Sequence, residues 1–151
     1  MAYLRESIHI DAPMDQVWSY AHDFHHWANF MVGMAEPSRI SGDGGVGSEV
    51  DFTILLAGVR LRETVRSVED RQDPDGTSHW RATVSGPSSG WMVWDYKAEV
   101  GGTQIDVEWE YSVPASVLGK LADRLVVEKM QAREMHNSLE NLKLLMEQTR
   151  H

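Results

Sequence analysis

The cleanest alternation in the chain runs through Ile105, Val107, Trp109, Tyr111 and Val113, with Asp106, Glu108 and Glu110 between them. A period of two with one apolar and one charged side describes a strand whose one face is buried and other face wet. Looser alternation rich in β-formers predicts further strands over 3–11, 48–57, 59–70, 77–85 and 90–100. Asp73-Pro74-Asp75-Gly76 is a turn, Gly101-Gly102 reads as a two-residue hairpin, and the glycine-rich stretch 41–47 is a tight turn feeding the strand after it. Helical spacing takes over in two places. Pro13, with Asp11 as a cap, opens a helix carrying Val17, Trp18 and Ala21, and a second short helix covers 25–31. After Pro114 a long helix is predicted over 115–146. Its apolar steps are Leu118, Leu121, Leu125, Ala132, Met135, Leu139, Leu142 and Met146, with Gly119 as a break near its start. At about 1.5 Å per residue it would cross a whole domain.

The order reads strand, two short helices, six antiparallel strands (five with bounds of their own) and one long helix. This is an α+β arrangement in a single domain, 1–151. A sheet with one dry face needs a cover, and the terminal helix is the only element large enough. A sheet that curls around one helix need not close completely against it, and a hollow between them is the seed of a ligand cavity. The alternation points Phe52, Ile54, Leu61, Trp80, Met92, Trp94, Tyr96, Trp109 and Tyr111 toward the helix, where Met130 and Met135 answer them. Indole and phenol carry polar tips that want partners, and methionine fills irregular space. The edges of such rings suit a flat aromatic or polycyclic guest, so these residues, with Met135, are the candidate ligand-binding set. A solid core without a hole is the competing expectation.

Composition narrows the function classes. The 151 residues include 14 Lys+Arg against 23 Asp+Glu, a formal net charge of −9. That excess of anions argues against nucleic-acid binding and against charge-driven attachment to an anionic membrane. Cysteine is absent, which rules out disulfides and thiolate metal sites and is compatible with a cytoplasmic location. No apolar run approaches the ~20 residues of a membrane span, and the first residues lack the pattern of a secretory signal.

The candidate chemistry lies in carboxylates at apolar positions. Glu63 shares a strand face with Leu61 and Val65, Glu128 fills the step between Leu125 and Ala132, and Glu6 sits with Ile8 and Ile10. A carboxyl group inside an apolar pocket is pushed toward its neutral form and becomes a general acid or base. Glu63 and Glu128 are therefore the candidate catalytic residues, with a bulge, a helix rotation or a neighbouring arginine as the plain alternative. His22, His25 and His26 stand beside Asp23 but lack a further ligand at metal-site spacing, so no metal is expected. The glycine-rich turn opens a strand with Ser48-Glu49 instead of a helix with Gly-Lys-Ser/Thr, so it is no phosphate cradle. Nothing resembles a Ser-His-Asp set, and no cofactor is expected.

Ile10-Asp11-Ala12-Pro13 followed by Val17-Trp18, then Asp23 and Trp27, resembles the opening of the START/Bet v 1-like (SRPBCC) superfamily. Gly42-Asp43-Gly44-Gly45-Val46-Gly47 is similar to the glycine-rich loop of the Bet v 1 proteins. The ending, Leu118-Gly119-Lys120-Leu121 through Leu139-Glu140-Asn141-Leu142-Lys143, resembles the polyketide cyclase/dehydrase group. The resemblance implies a helix-grip fold: a seven-stranded antiparallel sheet wrapped around a long C-terminal helix, with two short helices after the first strand. It also implies a partner class, a small hydrophobic molecule held in an internal cavity. Members cyclise polyketides, carry lipids, quinones or hormones, or serve as protein adaptors, and fold alone does not choose among these. Aromatase/cyclase members have a tryptophan-plus-arginine pattern on the strand that here spans 59–70; this chain has the arginines and no tryptophan there. The oligomeric state and the natural ligand stay open at this level.

Overall fold

A computed structural model describes residues 1–56, 58–119 and 123–148. The chain runs β1 (Ala2–Ile10), α1 (Met14–Ala21), a 3₁₀ turn (Phe24–His26), α2 (Trp27–Phe30), β2 (Arg39–Ser41), β3 (Glu49–Leu56), β4 (Val59–Gln72), β5 (Thr77–Ser85), β6 (Gly90–Glu99), β7 (Gly102–Tyr111), α3 (Ala115–Leu118) and α4 (Arg124–Gln148). The strands form one antiparallel sheet in the order β1-β7-β6-β5-β4-β3-β2. This is the seven-stranded helix-grip arrangement, in which the sheet curls around α4. Among the described residues no helix is long and apolar enough to cross a membrane.

The alternation on β7 holds along the whole strand: Thr103, Ile105, Val107, Trp109 and Tyr111 are buried, and the residues between them are half-buried. Val113 lies beyond the strand. Short β2 pairs with Glu49–Asp51 of β3 and carries too few residues for a period to show. The β6–β7 hairpin turns on Val100-Gly101, one residue earlier than expected, because Gly102 already pairs with Glu99. No side chain fits at Gly102: a Cβ there would stand 2.1 Å from the Ile10 carbonyl oxygen.

Two helix starts differ from the sequence reading. Pro13 itself is the cap residue of α1, and Asp11 instead meets His9 through its carboxylate and Glu147 through its N–H. The break expected at Gly119 is present and the C-terminal helix has two pieces, but the second begins at Arg124. α3 is capped by Gly119, and the Asp123 carboxylate accepts the Leu125 N–H at 2.9 Å as the N-cap of α4. Leu118 and Leu125 are consequently exposed, and Leu121 lies outside the described residues. The buried stripe of α4 is Val127, Gln131, Met135, Ser138, Leu139, Leu142 and Met146.

α4 also runs along β1, the edge strand of the sheet. Glu128 accepts the Tyr3 N–H at 3.1 Å, His136 approaches Glu6 at 3.7 Å, Lys143 donates to the His9 carbonyl at 2.8 Å, and Glu147 accepts the Asp11 N–H at 3.1 Å. An edge strand presents unpaired backbone groups that would otherwise template another chain, and the helix side chains cap several of them.

Candidate functional site

Between the sheet and α4 lies a small apolar hollow of about 40 Å³. Its walls come from the inner faces of β3, β4, β5, β6 and β7 (Phe52, Glu63, Val84, Met92, Trp109), from α4 (Gln131, Met135) and from the segment after α2 (Met31, Met34). Met31 and Met34 are half-buried and Leu55 is exposed, so the hollow approaches the surface on that side. Ser138 Oγ accepts the Val32 N–H at 2.8 Å and fixes that segment against α4.

Glu63 is 2% exposed. One carboxylate oxygen accepts the Ser88 N–H at 3.0 Å; the other is buried without a partner. Burial outweighs that single hydrogen bond and pushes the carboxyl up to about 7. The β5–β6 connection comes close enough to make this contact only because residue 86 is glycine. Its φ is +130°, and a Cβ there would stand 2.5 Å from the Glu63 oxygen. Ser88 Oγ and Trp109 Nε1, also on the wall of the hollow, are likewise buried without partners. Three polar atoms of wall residues are thus buried without hydrogen bonds, at a cost of about 1–3 kcal/mol each.

The sequence candidates divide into three groups. Phe52, Ile54, Met92, Trp109, Met135 and Glu63 line the hollow. Trp80, Trp94 and Tyr96 lie elsewhere, in a tight aromatic cluster around His22, with ring centroids 4.5 Å (His22–Trp80), 5.6 Å (His22–Trp94) and 6.5 Å (Trp80–Trp94) apart. Tyr111 is buried beside Trp109 at 4.4 Å, and Leu61 is buried in the core; neither reaches the hollow wall. Glu128 stands at the β1 edge, hydrogen-bonded to Tyr3 and 3.7 Å from Arg124, away from the hollow. Met130 turns to the outer side of α4 with Val126 and Arg133.

Glu134 was not foreseen. It lines the hollow, takes a 3.3 Å hydrogen bond from Gln131, and is raised above the usual carboxylate range by burial. It falls outside the apolar series Leu118, Leu121, Leu125, Ala132 and Met135 on which the sequence phases the helix. Phasing on Val127 and Gln131 would have turned Glu134 inward. The three histidines point apart: His22 to Tyr96, His25 to Asp23 and His26 to the Tyr20 carbonyl. Among the described residues no group of three His, Asp or Glu side chains is arranged to hold a metal ion.

Residues 1–147 match the protein family described as "Polyketide cyclase / dehydrase and lipid transport". The fold is shared with solved structures of low sequence identity. TTHA0849 from Thermus thermophilus superposes with a TM-score of 0.77 at 17% identity, covering 99% of both chains. A START superfamily protein from Mycobacterium smegmatis gives 0.71 at 12% identity over 98% of this chain and 99% of that one. The Zhui aromatase/cyclase from Streptomyces sp. R1128 gives 0.69 at 18% identity over 97% and 93%. Comparison with curated proteins finds no match. With a family match over nearly its whole length, the chain belongs to the polyketide cyclase/dehydrase and lipid transport family, and its fold is that of START/Bet v 1-like proteins.

Proposed function

We propose that the protein binds a small hydrophobic molecule of aromatic or polyketide-like character in the hollow and promotes its cyclisation and dehydration. The observation that carries this reading is the hollow itself, whose wall residues Glu63, Ser88 and Trp109 each hold a buried polar atom without a partner. A ligand with one oxygen-bearing end and an apolar body supplies what those atoms lack. A hollow of 40 Å³ holds a few water molecules, whereas a benzene-binding cavity is roughly 150 Å³. Binding therefore involves movement of Met31, Met34 and Met135, flexible side chains that repack readily.

A carboxyl poised at about 7 suits proton transfer near neutral pH. In ring closure a carbon–carbon bond forms between an enol carbon and a carbonyl carbon. The carbonyl oxygen takes the Glu63 proton, and the enol O–H returns one to the carboxylate. Loss of the new hydroxyl with an adjacent hydrogen then yields water and a double bond. The family description also includes lipid transport, which favours carriage of a lipid or quinone without chemistry as the second reading.

The first test is binding of 1-anilinonaphthalene-8-sulfonate at about one per chain, the stoichiometry of a single pocket, with weaker binding in Trp109→Ala. Failure of this probe, a naphthoquinone and a fatty acid alike would end the reading. Native mass spectrometry of freshly purified protein then identifies a co-purifying molecule. Against that molecule, Glu63→Gln loses turnover and keeps affinity if the protein is a cyclase, and changes neither if it is a carrier.

A further inference from the structure

Among the described residues the wall of the hollow holds two carboxyl groups, and ring closure as proposed uses one of them. Glu63 comes from β4 and Glu134 from α4, so the two border the same small space from the sheet and from its cover. Their surroundings differ. Glu63 is enclosed, with one oxygen on the Ser88 N–H and the other without a partner. Glu134 is half-buried and borders two spaces. One is the hollow; the other is an open concavity on the outer side of α4, which it shares with Val126, Lys129, Met130 and Arg133. Glu134 thus stands between the hollow and water.

The Glu134 carboxyl is also held in place. Gln131, on the same face of α4 and 4% exposed, donates from Nε2 to Glu134 Oε2 at 3.3 Å. A buried amide is costly without such a partner. The same oxygen lies beside Gly33, where a Cβ would stand 3.7 Å from it. Gly33 belongs to the segment after α2 whose Met31 and Met34 close the hollow. Burial raises Glu134, which makes its carboxylate a stronger base than an exposed one.

We infer that Glu134 is a second catalytic residue, the base that makes an enol from a ketone whose carbonyl oxygen sits at Glu63. The inference rests on the binding reading above and supplies the step before ring closure. The Glu134 carboxylate takes a proton from the carbon next to the carbonyl. The electron pair of that C–H bond becomes the carbon–carbon double bond, and the carbonyl oxygen takes the Glu63 proton. Glu134 is left protonated and Glu63 ionised; a proton passed from the first to the second restores both. Acid and base acting together avoid a free enolate, whose charge an apolar wall does not stabilise. The roles follow from position: the enclosed acid keeps its proton for the substrate, and the base at the boundary exchanges its proton with water.

The test uses the full chain and 2-tetralone, a flat ketone of two fused rings, in D₂O near neutral pD. Proton NMR follows replacement of the hydrogens beside the carbonyl, and displacement of 1-anilinonaphthalene-8-sulfonate reports binding. The parent is expected to speed the exchange above the buffer rate in proportion to protein concentration. Glu134→Gln, which still accepts from Gln131, should lower the protein-dependent rate at least about 100-fold, the low end for a general base, while displacement changes by less than about twofold. Glu134→Asp, with its carboxyl on a shorter arm, should recover part of the rate. Glu63→Gln should lower it, and Glu128→Gln at the β1 edge should leave it unchanged. A Glu134→Gln chain that exchanges at the parent's rate overturns the role of Glu134. So does tetralone that displaces the probe from the parent yet exchanges only at the buffer rate, and either result leaves the binding reading standing. Tetralone that displaces nothing overturns both.

Discussion

The two halves of the sheet's inner face use the same residue types and end in opposite states. Around His22, the rings of Trp18, Trp80, Trp94 and Tyr96 meet edge to face, and one hydrogen bond joins imidazole to phenol. Around Glu63, Phe52, Met92 and Trp109 leave a gap, although both regions hold buried polar atoms without partners: Glu63 Oε2, Ser88 Oγ and Trp109 Nε1 here, His22 Nδ1, Trp80 Nε1 and Trp94 Nε1 there. What differs is the cover. α1 and the 3₁₀ turn bring aromatic rings down onto the first region, whereas methionines from the segment after α2 and from α4 close the second. Large rings stack into a solid only when other rings arrive at the right angle; flexible thioethers cover without filling.

The largest effect expected from this contrast is acid sensitivity of the packed half. Burial lowers His22 to about 3, below its ordinary value near 6.5. The unfolded chain therefore binds the proton more readily than the folded one. Stability from this group is intact above pH 6.5 and is lost as pH falls toward 3, by up to about 5 kcal/mol. Urea unfolding across pH 7 to 4 measures the loss, and ring NMR should show His22 neutral until the protein unfolds. An imidazole titrating near 6.5 in the folded state would break the contrast. Next comes Trp94→Ala, which opens a cavity in the close-packed cluster and is expected to destabilise by about 3–5 kcal/mol. Trp109→Ala, beside space already empty, should cost clearly less in the same urea experiment; equal losses would mean the two halves are packed alike.

Glu63 titrates with the opposite sign. Its folded value of about 7 lies above the ordinary 4.5, so the folded state holds the proton more tightly, and stability falls as pH rises from 4.5 through 7. The full penalty above pH 7 is about 3 kcal/mol. Glu63→Gln is expected to recover much of that at pH 8. Between pH 4.5 and 6.5 the two buried groups oppose each other. The variant should therefore lose stability on acidification faster than the parent, by about 2 kcal/mol between pH 7 and 5. A variant whose stability follows the parent's at every pH would show that Glu63 is ionised at no cost in the folded protein.

How much of this was legible in the sequence follows from where local rules suffice. Alternation placed the strand pattern of β7 and set Glu63 on the same face as Leu61 and Val65, because each of those facts depends on a period of two along one strand. It could not divide Trp80, Trp94 and Tyr96 from Met92 and Trp109. All five lie on the same face, and their separation depends on which distant segment covers each. The bulge at Ser67/Glu69 that sets Asp70 opposite Trp80 leaves no mark in composition. The helix was misjudged for a local reason, since Leu118 and Leu125 continue an apolar series that the new N-cap at Asp123 interrupts.

That misphasing makes the smallest predicted effect an informative one. By sequence spacing Glu128 and Glu63 were equivalent, both carboxylates in an apolar phase. In the fold Glu63 is enclosed at the hollow, while Glu128 hydrogen-bonds the Tyr3 N–H at the open edge of β1, with Arg124 nearby. Glu128→Gln keeps a side-chain oxygen able to accept from Tyr3 and removes a half-exposed charge, so the stability change should stay within about 1 kcal/mol. Probe binding at the hollow should not change, whereas Trp109→Ala weakens it. If Glu128→Gln instead altered probe affinity as much as a substitution in the wall itself, the hollow would extend to the β1 edge, and the two carboxylates would belong to one site after all.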